Sequence, residues 1–221
     1  MGEEVAVPKR RKVGNLLALA VLSALVQRPM HPYEIATALR AWGKDQDMEI
    51  KWGSFYTVIR NLDRHGLIAE VESVRAGRRP ERTVYRITDA GRAELVDWAR
   101  ELVSTPEAEQ SRFRAGLSVL AALHPDEATA LLRRRLELLD ELIRANRAAL
   151  AEHLRQVPRL FLVESEYDLA VQEAEAAWVR DLLAAFASGD FPGLDQWRAF
   201  HETGELPAEL TDVAERSRRT E

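Results

Sequence analysis

The sequence predicts a mainly α chain carrying one small two-stranded β element, on three observations. Apolar residues repeat at helical spacing in three successive short segments between residues 14 and 65. Between Leu67 and Ile87 the pattern changes to two short extended runs around Ala76-Gly77-Arg78-Arg79-Pro80. After Pro106 only helical periodicity remains. With 221 residues, 46% hydrophobic and 30% charged, the chain can bury one large core or two small ones.

Residues 1–13 hold two acids, four bases and a Pro without apolar periodicity, which predicts a flexible basic arm. The run Leu16 to Val26 is broken only by Ser23 and predicts a buried helix over 14–27, too short to span a bilayer. Pro29 and Pro32 then punctuate the chain. A second helix follows on Ile35, Ala38, Leu39 and Trp42, with Gly43 as its stop. A third runs from Gly53 to about His65 on Phe55, Val58, Ile59 and Leu62, and Gly66 ends it. In the following hairpin Thr83, Tyr85 and Ile87 alternate with Val84 and Arg86. Thr88 is placed to cap a fourth helix with Leu95, Trp98, Ala99 and Leu102 along one side.

The remainder reads as one helix through Phe113, Leu117 and Leu120, a break at His124-Pro125-Asp126, and two long helices, about Pro125 to Gln156 and Leu160 to Ser188. The first long helix has Leu131, Leu132, Leu138, Leu139, Leu142 and Ile143 as its apolar positions. A short helix near Asp190 to Glu202 closes this half, and the tail from about Pro207 is too polar to fold. The domains expected are thus an arm over 1–13, a first domain over 14–104, an all-helical domain over 105–203 and a flexible tail over 204–221.

The formal charge of −5 hides an asymmetry: residues 1–103 hold 17 Lys/Arg and 14 Asp/Glu, the rest 14 and 22. The two halves therefore have different electrostatic jobs. The absence of Cys excludes disulfides, thiolate metal sites and a cysteine nucleophile. The basic cluster Lys9 to Lys12 precedes an apolar run, but no small-residue cleavage site follows it, and the expected location is the cytoplasm without membrane contact.

Three short helices, a basic hairpin and a fourth helix, in that order, describe a winged helix-turn-helix, whose third helix enters the DNA major groove. If Phe55, Val58, Ile59 and Leu62 face the core, Gly53, Thr57, Arg60 and Arg64 point the opposite way, flanked by Ser54, Tyr56 and Asn61. Arg can bond bidentately to guanine and Asn to adenine, while hydroxyls reach phosphate. On the hairpin, Arg75, Arg78, Arg79, Arg82 and Arg86 stand against Glu81 alone, a net +4 suited to phosphate. The candidate DNA contacts are Ser54, Tyr56, Thr57, Arg60, Asn61, Arg64, Arg78, Arg79 and Arg82, with His31 at the start of the second helix, where it is equally placed to cap. The alternative is a winged-helix adaptor that contacts another protein and lacks sequence-specific DNA binding.

The ordered set His31-Pro32-Tyr33-Glu34-Ile35, Gly53-Ser54-Phe55-Tyr56, Leu62, Gly66-Leu67-Ile68 and Tyr85-Arg86-Ile87-Thr88-Asp89-Ala90-Gly91 resembles the PadR family of bacterial transcriptional regulators, over about Asn15 to Leu102. The helical remainder, including Ala174-Glu175-Ala176-Ala177-Trp178, is similar to the C-terminal domain of longer members. The resemblance implies a homodimeric repressor on double-stranded operator DNA, with interlocking C-terminal helices and an aromatic or hydrophobic small-molecule effector. Trp98, Phe113 and Trp178, with Trp197, are the aromatic residues to line an effector pocket, and core packing or the dimer seam is the competing role for each. Two positions depart from the family pattern: Pro32 stands where Gly is usual and Thr57 where Pro is usual.

Nothing specific supports an enzyme: there is no Gly-rich phosphate loop, metalloprotease helix or nucleophile elbow. His31, His65, His124, His153 and His201 never fall at i, i+4, so neither a metal nor a cofactor is expected. The pairs Glu164, Glu166 and Glu173, Glu175 fall on different helix faces and read as solvated acids.

Overall fold

The computed structural model describes residues 11–44, 52–71, 83–106 and 111–204. The chain divides into two compact units, residues 1–108 and 109–221. Helix α1 (Leu16–Leu25) is capped by Asn15, whose side chain accepts from the Leu17 N–H at 2.8 Å. It is buried almost all round, as its nearly continuous apolar run requires. α2 (Pro32–Ala41), α3 (Phe55–Arg64) and α4 (Asp89–Ser104) pack around it, and a 3-10 turn, Trp52–Ser54, leads into α3. Strands β1 (Ile68–Val71) and β2 (Val84–Ile87) pair antiparallel with Ile68 opposite Ile87. Ile68, Tyr85 and Ile87 point into the same core as α1. Met30 adds a single bridge on Tyr85, its N–H donating at 2.9 Å and its carbonyl accepting at 3.0 Å, a pairing with no periodic signal in the sequence.

The winged helix-turn-helix fold expected from the sequence is thus present in the first unit, with its wing strands in register. The wing's tip lies outside the described residues. The turn into α4 explains the Thr88-Asp89-Ala90-Gly91 motif. Thr88 Oγ1 accepts from the Gly91 N–H at 3.0 Å and donates toward the Gly66 carbonyl at 2.7 Å, tying α4 to the turn after α3. A Cβ on Gly91 would stand 2.0 Å from the Leu67 carbonyl oxygen, so only glycine fits.

Two expectations change here. Arg11 and Val13, read from the sequence as part of a flexible arm over 1–13, are packed. The Arg11 side chain is 4% exposed, lies over the Trp98 ring and pairs with Glu94, Asp97 and Glu101 of α4. Its partners are 83 to 90 residues away, beyond the reach of local pattern. On α4 the core face ends at Trp98, leaving Ala99 and Leu102 exposed rather than aligned with Leu95.

The second unit comprises α5 (Arg112–Ser118), α6 (Pro125–His153), α7 (Val163–Ser188) and α8 (Leu194–Thr203), with 3-10 turns at Leu120–Ala122 and Arg159–Phe161. The single helix expected through Leu120 breaks at Val119. α6 starts where His124 caps it and Pro125 occupies its first turn, where a missing N–H costs nothing. α6 and α7 pack antiparallel, with Leu132, Leu139, Ile143, Ala176, Val179 and Phe186 between them. Of the six apolar positions expected on α6, three are buried and Leu131, Leu138 and Leu142 are exposed. Trp197 on α8 packs against Phe186 and donates its indole N–H to the Leu123 carbonyl at 2.9 Å. The tail beyond 204 lies outside the described residues.

Candidate nucleic-acid interface

A reciprocal cap fixes where α2 begins. The Tyr33 N–H donates to His31 Nδ1 at 3.1 Å, and the His31 N–H donates to the Glu34 carboxylate at 2.9 Å. Arg28 adds a contact to Glu34 at 3.1 Å. The backbone bond from His31 holds the Glu34 carboxyl below its ordinary range; partial burial opposes this, and Arg28 reinforces it. Pro32, the departure from the family pattern, sits in the first turn and is accommodated there. His31, a candidate DNA contact, therefore has one ring nitrogen committed to the cap.

α3 is sharply two-sided. Phe55, Val58, Ile59 and Leu62 are buried, which aims the rest of the helix outward. Tyr56, Thr57, Arg60 and Arg64 are exposed, Tyr56 by 62%, while Ser54 and Asn61 are half-buried at the margins. Five of the six candidates thus lie on α3, and Ser54 ends the 3-10 turn that leads into it. Arg60 donates to Thr57 Oγ1 at 3.3 Å, so the residue that departs from the family pattern orients a neighbouring guanidinium. The wing candidates Arg78, Arg79 and Arg82 lie outside the described residues. Arg86 on β2 is exposed.

Sequence reasoning missed how the entry to α3 is braced. The Arg40 guanidinium lies 4.0 Å from the centroid of the Trp52 ring, whose other neighbour is Phe55 at 5.6 Å. Arg40 and Trp52 are separated by a polar stretch without periodicity, so no signal joins them. Tyr33, 70% exposed on the first turn of α2, was likewise not singled out, since its neighbours read as a helix start.

The aromatic effector candidates separate. Trp98 is buried in the first unit under Arg11. In the second unit, Phe113 and Trp178 meet edge to face at 6.1 Å. Arg135 covers Phe113 at 3.7 Å and is held by Glu175 at 2.6 Å. Trp178 is 47% exposed. The acids read as solvated instead form ion pairs: Glu166 with Arg159, Glu173 with Arg147 and Glu175 with Arg135. Among the described residues, no group of three or more His, Cys, Asp or Glu is placed to hold a metal ion, and no helix is long and apolar enough to cross a membrane.

Residues 21–97 match the transcriptional regulator PadR-like family. Among solved structures, Bacillus subtilis PadR in complex with operator DNA is similar at a TM-score of 0.64 and 20% identity, over 77% of this chain and 99% of that one. The same protein in complex with p-coumaric acid gives 0.65 at 20% identity, over 78% and 99%. The Vibrio cholerae virulence activator AphA gives 0.54 at 20% identity, over 78% and 98%. No curated protein matches the chain. The structural likenesses show a shared fold, and the family is one of transcriptional regulators with a DNA-binding winged helix rather than of enzymes. Residues 21–97 are thus similar to the PadR-like family of transcriptional regulators.

Proposed function

We propose that this protein is a homodimeric repressor of the cytoplasm that reads operator DNA with α3 and the basic wing, and that a small aromatic or hydrophobic effector releases it. The observation that carries the reading is the polarity of α3: its apolar residues are consumed by the core, and Tyr56, Thr57, Arg60 and Arg64 project outward. Arg60 and Asn61 supply base readout, Arg64 and the hydroxyls supply phosphate contacts, and Arg78, Arg79 and Arg82 on the wing track the adjacent backbone. His31 and Ser54 flank that surface.

A two-fold dimer doubles the contacts of a single recognition helix and fixes half-site spacing. Its seam is supported by the exposed stripe of Leu131, Leu138 and Leu142 on α6, with Val171 and Trp178 on α7. Effector release is supported by the p-coumaric acid complex of Bacillus subtilis PadR and by the Phe113 and Trp178 pair, with Trp98 a further aromatic candidate. An effector that prefers a dimer with the wrong helix spacing lowers operator affinity by its differential affinity for the two states.

The test is binding to a fluorescent duplex of the protein's own promoter against a random competitor, across a salt series. Preference for the promoter with a steep salt slope is expected. Equal affinity for both duplexes would overturn the reading in favour of the adaptor. Sedimentation equilibrium reads the dimer, and a promoter reporter whose output rises when the protein is deleted reads repression.

A further inference from the structure

The antiparallel α6–α7 pair has two dissimilar faces. On α6, Leu131, Leu138 and Leu142 are spaced by seven and four residues and share one side. Asp140, Arg144 and Arg147 lie about 180° round the same helix at roughly 100° per residue. The same opposition holds on α7, where Val171 and Trp178 face one way and Glu173 and Arg180 the other. On this second face the helices flank an open cleft of about 550 Å³ lined by Asp140, Arg144, Arg147, Glu173 and Arg180, with Ile143 and Ala176 as its floor.

The charges in the cleft are unevenly matched. Arg180 pairs with Asp140 at 2.5 Å and Arg147 with Glu173 at 2.5 Å, each through a single Nη2. A guanidinium has five N–H donors, so these pairs anchor Arg147 and Arg180 without exhausting them. Arg144 has no ion-pair or hydrogen-bond partner among the described residues. Three guanidiniums over two carboxylates leave a net +1 in a half of the chain that is otherwise acidic.

We propose that this cleft binds a small organic oxyanion, a carboxylate or a phosphate monoester, that bridges Arg144 to the anchored Arg147 and Arg180 above the floor of Ile143 and Ala176. Planar forked donors match such oxygens bidentately, and the cleft's volume falls in the range of small-ligand sites. The two anchoring pairs limit the side-chain ordering that binding must impose. The cleft lies on the opposite side of the pair from the apolar stripe and from Phe113 and Trp178, so a second copy or an aromatic effector seated there leaves it open. The inference therefore does not depend on the proposed operator binding.

The experiment is isothermal titration of the full-length protein with succinate, benzoate, glycerol 3-phosphate and inorganic phosphate at low ionic strength. We compare wild type, Arg144→Gln and Arg134→Gln, the last removing the same charge from a position of α6 that does not line the cleft. Saturable one-to-one binding of at least one probe is expected, weakened about ten-fold or more by Arg144→Gln and unchanged by Arg134→Gln. The carboxylate and phosphate arms identify which oxyanion is preferred. Both arginines are exposed, and far-ultraviolet circular dichroism checks that each variant folds. Absence of saturable binding by every probe, or equal weakening by both variants, would overturn the proposal.

Discussion

Arg11→Met tests whether the segment before α1 is structural. The substitution keeps an unbranched apolar stem against Trp98 but removes the guanidinium that lies 5.1 Å from that ring. Arg11 Nη1 is 2.6 Å from Glu94 and 3.4 Å from Asp97, and Nη2 pairs with Glu101. Burial alone would lower the Arg11 pKa, but the bonds to Glu94 and Glu101 outweigh it and raise it, so the charged form is favoured in the fold. Breaking a fully buried pair costs about 3–5 kcal/mol because the remaining charge is stranded. Here the acids retain 25%, 47% and 22% exposure, so water takes over part of the guanidinium's role. Exposed pairs contribute up to about 1 kcal/mol and a cation–π contact about another 1. The working figure is therefore about 2 kcal/mol, a loss of roughly 4–8 °C in Tm for a chain of this size. Thermal melts of wild type and Arg11→Met read it directly. The same substitution in a Glu94→Gln, Asp97→Asn, Glu101→Gln background should cost less than half as much. A Tm within about 2 °C of wild type, or an undiminished loss in the triple variant, would refute the clasp.

Gly91→Ala forces a Cβ to 2.0 Å from the Leu67 oxygen and 2.9 Å from Ile87 Cγ1, and should cost about 3 kcal/mol or more in urea unfolding; a loss under about 1 kcal/mol would contradict the close packing of α4. The Glu34 carboxyl is lowered in the fold, so its contribution is complete above the ordinary glutamate pKa, about 4.3, and fades as pH falls through the folded value. Its side chain is 45% exposed, so the effect should stay under about 1 kcal/mol, with Glu34→Gln flattening that part of the pH profile in melts between pH 3 and 6. Arg60→Ala should cost about 1–3 kcal/mol on the promoter duplex and relax preference at one base position, whereas Arg64→Ala should weaken all duplexes alike and reduce the salt slope by about one. Identical behaviour of the two variants would remove the assigned division between base and phosphate contacts.

The elements of the first unit were legible because each carries local chemistry. Asn15, His31 and Thr88 cap, Gly43 and Gly66 take positive φ at helix ends, and Tyr85 and Ile87 alternate with Arg86. The outward set on α3 followed from the four apolar residues that turn inward. What stayed hidden depends on pairs far apart in sequence. Arg11 finds its acids more than 80 residues away, Arg40 finds Trp52 across a stretch without pattern, and Met30 bridges Tyr85 through backbone atoms that no side chain advertises. The Thr88-Asp89-Ala90-Gly91 motif was visible, but its cause, the approach of α4 to the Leu67 carbonyl, is a contact between segments far apart in sequence.

On α6 local pattern does not distinguish two apolar stripes, because both have helical spacing and both are rich in leucine. One stripe, Leu132, Leu139 and Ile143, suffices to pack against Ala176 and Val179 of α7. The other, Leu131, Leu138 and Leu142, lies about 100° away and remains roughly half exposed within the chain. A surface helix that needs only one partner carries charged residues at such positions, and α6 does so on its far side, with Asp140, Arg144 and Arg147. Apolar surface in excess of what one chain buries is unfavourable in water, and a second copy that presents the same stripe about a two-fold axis removes it from both partners at once. Leu138→Asp should therefore shift the proposed dimer toward monomer in sedimentation equilibrium while leaving the helical content unchanged, because the side chain already faces water in the single chain. An unaltered dimer would place the seam elsewhere.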